Sequence, residues 1–320
     1  MASYLVTGGC GFIGSHLADA LVARGHGVRV LDDLSSGKRT NAPAKADIVV
    51  GDVADPTVVR RAMEGMDGCF HLAAIASVQR SVEAWLATHR VNLGGTICVL
   101  DAARAIGAVP VVYASSASVY GDNAALPLSE NLALTPLSPY GADKAASELQ
   151  ARAAFAIHGV PSTGLRFFNV FGPRQDPASP YSGVISIFAQ NIIAGRPLAI
   201  FGDGKQSRDF IYVGDVVGAM VAAMDRPEKS ARVFNVGRGE STTLLRLVAT
   251  FERLTGRRAV VHHASQRPGD ARHLLSDTVQ LRAGLGFAAK VSLEEGLASL
   301  LNWLELEKAV PATQEGIPAL

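Results

Sequence analysis

Thr7-Gly8-Gly9-Cys10-Gly11-Phe12-Ile13-Gly14 decides the reading of this chain. The stretch follows an apolar run at residues 4–6 and opens into residues 13–23, where apolar side chains recur at helical spacing. A strand, a glycine-rich turn and a helix in that order make a phosphate-binding unit. One glycine makes the tight turn, one lets the backbone approach a pyrophosphate, one lets helix and strand pack closely, and the helix start offers unpaired N–H groups to the anion. Gly9, Gly11 and Gly14 satisfy G-x-G-x-x-G, and Gly8, Gly11 and Gly14 satisfy the wider G-x-x-G-x-x-G. Asp32 closes the next strand run 18 residues after Gly14, where a carboxylate can accept hydrogen bonds from an adenosine ribose. Its charge repels a 2′-phosphate, which favours NAD over NADP, although Lys38 and Arg39 stand nearby.

Outward from this turn, strand runs at residues 4–6, 28–31, 48–50, 68–72 and 109–114 alternate with helical stretches, among them 91–106. That rhythm predicts βαβ crossovers and an α/β fold: a Rossmann-type, doubly wound parallel sheet with helices on both faces. A helix at about 139–158 and a strand at 162–167 continue it. The segment Gly172 to Gly183, GPRQDPASPYSG, reads as a loop over the ligand cleft. Shorter elements follow, as in a smaller C-terminal α+β lobe. The expected division is a dinucleotide-binding domain over 1–170, to which some later segments return, a substrate lobe over 171–308 and a flexible tail over 309–320.

Composition excludes several classes of function. With 30 Lys plus Arg against 29 Asp plus Glu, the formal charge is +1, so no net field draws the chain to nucleic acid or an acidic membrane surface. Hydrophobic residues at 48% and charged residues at 18%, with a mean hydropathy of +0.20, describe a packed globular protein without a run long enough to span a membrane. Cys10, Cys69 and Cys98 are too scattered for a disulfide framework and read as reduced thiols. The N-terminus enters a strand within four residues, leaving no room for a signal peptide, so a cytoplasmic location is expected. His262, His263 and His273 have no Cys or carboxylate at ligand spacing, and no metal site is expected.

Tyr140-Gly141-Ala142-Asp143-Lys144 opens the helix announced by Ser138-Pro139, and the i to i+4 spacing puts phenol and ammonium on one face. Bringing a phenol from a pKa of about 10 to about 7 takes roughly 4 kcal/mol. A cation about 4 Å away at an effective dielectric of about 20 supplies roughly that much, and an oxidised nicotinamide adds to it. Ser116 ends the fifth strand run, and in a parallel sheet that end faces the cofactor crevice, where a hydroxyl can meet both substrate and Tyr140.

TGGCGFIG, Asp32, Gly51-Asp52, HLAA at 71–74, Asn92 before Gly95-Thr96, SSASVYG and YGADK stand in an order and spacing that resembles the extended short-chain dehydrogenase/reductases. The resemblance covers residues 3–305 and is closest to the NAD-dependent UDP-hexose 4-epimerases of the UDP-glucose and UDP-N-acetylglucosamine type. It implies that Ser116, Tyr140 and Lys144 are the catalytic set. It implies cofactor contacts at Phe12, Ile13, Asp32, Asp52, Val53, Leu72, Ala73, Ala74, Asn92 and Phe168, beside Gly8, Gly11 and Gly14 of the turn and Asp33, Ser36 and Gly37 after the second strand. Asn169, Arg208 and Arg267 match contacts to the substrate diphosphate, and Val184 and Phe201 match contacts to the uridine. Leu274, four residues after Asp270, falls at a gate where family members differ in side-chain size and in tolerance of an N-acetyl group.

The activity implied is 4-epimerisation of a UDP-sugar through a transient 4-keto sugar, with Tyr140 taking the proton of the 4-hydroxyl, Ser116 holding O4 and NAD retained. Ala117-Ser118 lacks the carboxylates of the 4,6-dehydratases, and Ser118-Val119-Tyr120-Gly121 departs from the glutamate-bearing motif of the UDP-glucuronate decarboxylases. A homodimer through helices near 83–106 and 140–158 is also implied. Two other readings stay open at this level: a net NAD(P)-dependent oxidoreductase on a nucleotide-linked sugar, and a non-catalytic dinucleotide sensor. An intact Ser116, Tyr140 and Lys144 set speaks against the sensor.

Overall fold

The computed structural model describes residues 1–176, 183–227, 229–265 and 272–309. The first half alternates strands and helices: β1 Ser3–Thr7, α1 Phe12–Ala23, β2 Gly27–Asp32, β3 Asp47–Val50, α2 Pro56–Met63, β4 Gly68–His71, α3 Val78–Glu83, α4 Trp85–His89, α5 Gly95–Ala105, β5 Val111–Ser116, α6 Pro139–His158 and β6 Ser162–Phe167. The second half runs β7 Asn169–Phe171, α7 Val184–Ile193, β8 Leu198–Phe201, β9 Ser207–Arg208, β10 Phe210–Tyr212, α8 Val213–Asp225, β11 Ala231–Val236, β12 Thr242–Thr243, α9 Leu244–Thr255, β13 Val261–Ala264, α10 Val279–Leu285 and α11 Leu293–Ala309.

Seven strands form one parallel sheet in the order β11-β6-β5-β4-β1-β2-β3. The order reverses between β1 and β4, and the crevice at that switch point is where a doubly wound sheet binds ligands. Every residue of β6 is buried, as a strand covered on both faces must be. Helices α1 and α8 cover one face around Leu17, Leu21, Val216 and Met220. Helices α2, α5 and α6 cover the other around Val59, Val99, Ala103 and Ala151. A second core, built on Phe188, Ile200, Leu247, Phe251 and Leu300, joins α7, α9, α11 and β8. Buried Asp209 ties this half to the sheet, its carboxylate accepting the N–H groups of Arg238, Gly239 and Ser276.

Local sequence explains the element that carries Tyr140. Ser138 caps α6 by accepting the Gly141 N–H at 3.1 Å, Pro139 occupies the first turn, and Gly159 at φ +67° ends the helix in the left-handed conformation. The helix expected over 91–106 is composite. Arg90–Gly94 is a π-turn, and regular helix runs only from Gly95 to Ala105. Its wider winding carries buried Asn92, whose amide closes on the backbone of Ile75, so a side-chain bond offsets the irregular winding. Among the described residues no helix is long and apolar enough to cross a membrane.

Candidate active site

A cleft of about 610 Å³ opens at the switch point. Its floor is the glycine turn, where Gly8, Gly11, Phe12, Ile13 and Gly14 line the cavity. Gly8 has φ +71°, and a Cβ there would lie 2.7 Å from the Ala73 nitrogen; a Cβ on Gly14 would lie 2.2 Å from the Gly8 carbonyl oxygen. Gly9 instead faces β2, where a Cβ would lie 2.7 Å from the Val30 side chain, so the cleft uses the wider Gly8, Gly11, Gly14 spacing. Gly11 is the N-cap of α1 and has no side chain to cap it, which leaves the first N–H groups of the helix for an anion.

Asp32 lines the cleft and also holds the turn: Oδ2 accepts the Cys10 N–H and Oδ1 the Leu34 N–H, both at 2.9 Å. Asp33 and Ser36 line the same rim, whereas Gly37 packs behind it on Cys10, where a Cβ would lie 2.8 Å from the Cys10 carbonyl carbon. Burial, with the Asp32 charge nearby, pushes the Cys10 thiol up to about 11, which keeps it protonated.

The opposite wall is Val53 with Leu72, Ala73 and Ala74. Thr7 Oγ1 accepts the N–H groups of Leu72 and Ala73 at 3.2 Å each, and buried His71 bridges Thr7 at 2.8 Å and Thr96 at 3.1 Å. Burial, and then the Lys144 charge, bring the His71 imidazole down to about 3, so it stays neutral. Asp52 does not line the cleft; it pairs with Arg90 at 2.5 Å and caps the Ala54 N–H at 2.8 Å. Burial works upward on its carboxyl, but these bonds outweigh it and hold Asp52 below the usual range. Asn92 acts one layer back, through Ile75, which does line the wall.

Ser116, Tyr140 and Lys144 meet on the remaining wall. Ser116 ends β5 and donates from Oγ to Ser118 Oγ at 3.1 Å, while Tyr140 stands in the first turn of α6 close enough to Ser116 for that hydroxyl to act on its phenol. Lys144 donates from Nζ to the Ala114 carbonyl at 2.8 Å and lies 5.8 Å from the Tyr140 ring centre. This corrects the electrostatics expected from the sequence. Burial raises the Tyr140 phenol above its ordinary value, and the nearby Ser116 hydroxyl opposes that only in part. The ammonium is turned to a backbone carbonyl, and burial brings Lys144 itself down to about 8 against the pull of Asp143 and Glu148.

Phe168, expected at the cofactor, and Asn169, expected at the substrate diphosphate, both line the cleft. Val184 begins α7 and packs on the second core, and Phe201 ends β8, paired with Ala264. Arg208 is buried with Nη1 donating to the carbonyls of Ser207 at 2.9 Å and Arg272 at 3.4 Å. Leu274 packs on the small cluster of Ala117, Tyr120 and Phe168, behind the Ser116 wall. Arg267 and Asp270 lie outside the described residues, as do the middle of the Gly172 to Gly183 loop and the tail beyond residue 309. Sequence reasoning missed Gln175 as a single residue. It lines the cleft, its Nε2 donates to the Val170 carbonyl at 3.4 Å, and its buried Oε1 has no partner among the described residues. The only signal for it was its place in the Pro/Gly/Ser-rich loop. Among the described residues no group of three metal-ligating side chains comes together.

The residues present fit a dinucleotide. Gly8 and Gly14 let the turn pack directly on the Leu72–Ala73 backbone and on the start of α1, which sets an uncapped helix start at the cleft floor for a diphosphate, and an acidic side chain stands at the end of β2. Residues 4–237 match the model of the NAD dependent epimerase/dehydratase family, and the chain belongs to that family. It is 39% identical over 306 residues to a UDP-glucose 4-epimerase of Mycolicibacterium smegmatis, covering 93% of this chain and 97% of that one. Among solved structures it resembles a Thermotoga maritima UDP-glucose 4-epimerase with UDP-glucose (TM-score 0.92, 36% identity, 96% of this chain and 99% of that one). It equally resembles a Methanobrevibacter ruminantium UDP-N-acetylglucosamine 4-epimerase in complex with UDP-N-acetylmuramic acid (TM-score 0.92, 36% identity, 96% and 99% covered).

Proposed function

We propose that this protein is an NAD-dependent isomerase that interconverts the C4 epimers of UDP-hexoses, UDP-glucose with UDP-galactose and, by extension, their N-acetylamino counterparts. The observation that carries the reading is the convergence of Ser116, Tyr140 and Lys144 on the cleft built by the glycine turn. Gly8, Gly11, Phe12, Ile13 and Gly14 would hold the pyrophosphate of NAD, and Asp32, with Asp33, Ser36 and Gly37 at the rim, the adenosine ribose. Val53, Leu72 to Ala74 and Phe168 would wall the cofactor, with Asp52 and Asn92 supporting that wall from behind. When bound, NAD supplies a reversible acceptor for the hydrogen on the sugar C4.

Tyr140 then takes the proton of the 4-hydroxyl, Ser116 holds O4, and Lys144 supplies the nearby cation that makes the phenolate accessible. The 4-keto sugar would turn about its diphosphate, held by Asn169, Arg208 and Arg267, so that C4 would recover its hydrogen on the other face while Tyr140 returns the proton to O4. Val184 and Phe201 are proposed at the uridine, and Asp270 and Leu274 at the sugar gate. Purified protein, given UDP-glucose and UDP-N-acetylglucosamine in separate tubes without added cofactor, should produce the galacto anomeric proton signals. The ratio of the two rates reads the Leu274 gate. No change in either sugar, even after NAD is added, would sink the reading.

A homodimer is part of the same proposal. Val82, Trp85 and Leu86 on α3 and α4, with Leu149 and Ile157 on α6, leave large apolar side chains exposed, Trp85 at 66% and Leu86 at 81%. Trp85→Glu with Leu86→Glu should halve the mass seen by sedimentation, and an unchanged mass would exclude that face. Three free cysteines, two of them buried, suit a reducing compartment, which supports a cytoplasmic location.

A further inference from the structure

Glu148 stands one helical turn beyond Lys144, is 5% exposed, and is used by none of the steps above. Both of its carboxylate oxygens are engaged. Arg166 on β6, itself 3% exposed, donates Nε to Oε1 at 2.9 Å and Nη2 to Oε2 at 2.7 Å, and Ser115 Oγ donates to Oε1 at 2.6 Å. Arg166 reaches further, from Nη1 to Tyr120 Oη at 2.8 Å, and Tyr120 donates to Asn235 Oδ1 on β11 at 2.6 Å. A buried carboxylate with a two-pronged guanidinium and a hydroxyl on it holds a fixed geometry, because letting go of any partner strands a charge away from water.

What it holds is the reacting end of the cleft. Ser115 is the residue before Ser116, and Ala114, before that, takes the Lys144 ammonium at 2.8 Å. Helix α6 is therefore tied to the last three residues of β5 at two successive points, Lys144 to Ala114 and Glu148 to Ser115. Building on the epimerase reading, we propose that Glu148, anchored by Arg166, is a positioning residue that sets α6 against β5 so that Tyr140 and Lys144 meet Ser116 in one geometry, and that supplies negative charge to Lys144. The charged and titratable groups around the Lys144 ammonium are Tyr140, Asp143 and Glu148 on its own helix and His71 on β4, with Arg166 on β6 behind Glu148. Asp143 is shared with His89 at 2.7 Å. Burial alone drives Lys144 toward its neutral form, and Asp143 and Glu148 oppose it.

Two variants separate the tie from the charge. Glu148→Gln keeps an acceptor for Ser115 and removes the charge, and Ser115→Ala keeps the ion pair and removes the tie. For Glu148→Gln, kcat should fall about tenfold or more with KM within about twofold. Its Lys144 ¹³Cε resonance, assigned with Lys144→Arg, should titrate about one pH unit lower than in the wild type. Ser115→Ala should lower kcat about threefold or more at an unchanged melting temperature. A role confined to stability would lower the melting temperature and leave the Lys144 titration where it was, and that result overturns the proposal. A wild-type kcat in either variant overturns it too. If Glu148→Gln does not fold, because Arg166 is left charged and unpaired, the rate of Ser115→Ala decides. The Lys144 titration needs no turnover, so a wild type inert on UDP-sugars whose Lys144 still shifts with Glu148→Gln would cost the epimerase reading and leave the proposed link intact.

Discussion

Tyr140→Phe should lower kcat for the sugar interconversion by about 10³-fold, within the range that a positioned acid–base group contributes. The variant loses one hydroxyl at the cleft wall, and Ser116 retains its bond to Ser118 Oγ, so the fold and the bound NAD should both survive. The size of the effect follows from the geometry. Of the three side chains on that wall, Tyr140 alone can both accept and return a proton at the sugar: Ser116 is a weak base, and the Lys144 ammonium is spent on the Ala114 carbonyl. Because burial lifts the phenol above its ordinary range, the resting protein holds it protonated at neutral pH. The positive charge of the oxidised nicotinamide and the Lys144 ammonium must then bring it down in the loaded enzyme. A Tyr140→Phe protein within about tenfold of the wild-type rate would remove Tyr140 from the proton transfer.

Gly14→Ala should abolish retention of NAD and lower the melting temperature. The added Cβ would stand 2.2 Å from the Gly8 carbonyl oxygen and 2.9 Å from both the Gly8 carbonyl carbon and the Gly9 Cα. All three are backbone atoms of the turn, so no side chain can swing aside, and α1 must shift off β1. Overpacking of this kind costs about 3 kcal/mol. Transferred to the site that holds the diphosphate, that is a loss of affinity of more than about 100-fold. Gly94→Ala is the control, since Gly94 has φ −58° and its Cβ would meet nothing within 4 Å. It should fold at least as stably as the wild type. Equal NAD content in Gly14→Ala and Gly94→Ala would show that the close approach at Gly14 does not shape the cofactor site.

What could be read from the sequence was what local chemistry dictates. The helix over 139–158 and the strand over 162–167 have the expected bounds because Ser138, Pro139 and Gly159 punctuate one and an unbroken buried run makes the other. The glycine turn was legible as a turn, but not which of Gly8 and Gly9 faces the cleft, since that depends on Val30 of the neighbouring strand. Burial and distance were not legible at all. The i to i+4 spacing of Tyr140 and Lys144 puts them on one face of a helix, yet says nothing of the Ala114 carbonyl that captures the ammonium. Nothing in the sequence marks Glu148 and Arg166 as a pair; only the pairing of β5 with β6 and the packing of α6 on them bury the two together. The winding at Arg90–Gly94 was hidden because the bond that offsets it, from the Asn92 amide to Ile75, reaches 17 residues along the chain.

Epimerisation of this kind oxidises and reduces C4 within one site without exchange with the medium. UDP-glucose carrying deuterium at C4, incubated with the purified protein in ordinary water without added cofactor, tests it most directly. The UDP-galactose formed should keep the deuterium at C4, with no lasting rise in absorbance at 340 nm. Product with hydrogen at C4, or a keto sugar accumulating in step with reduced cofactor, would contradict it.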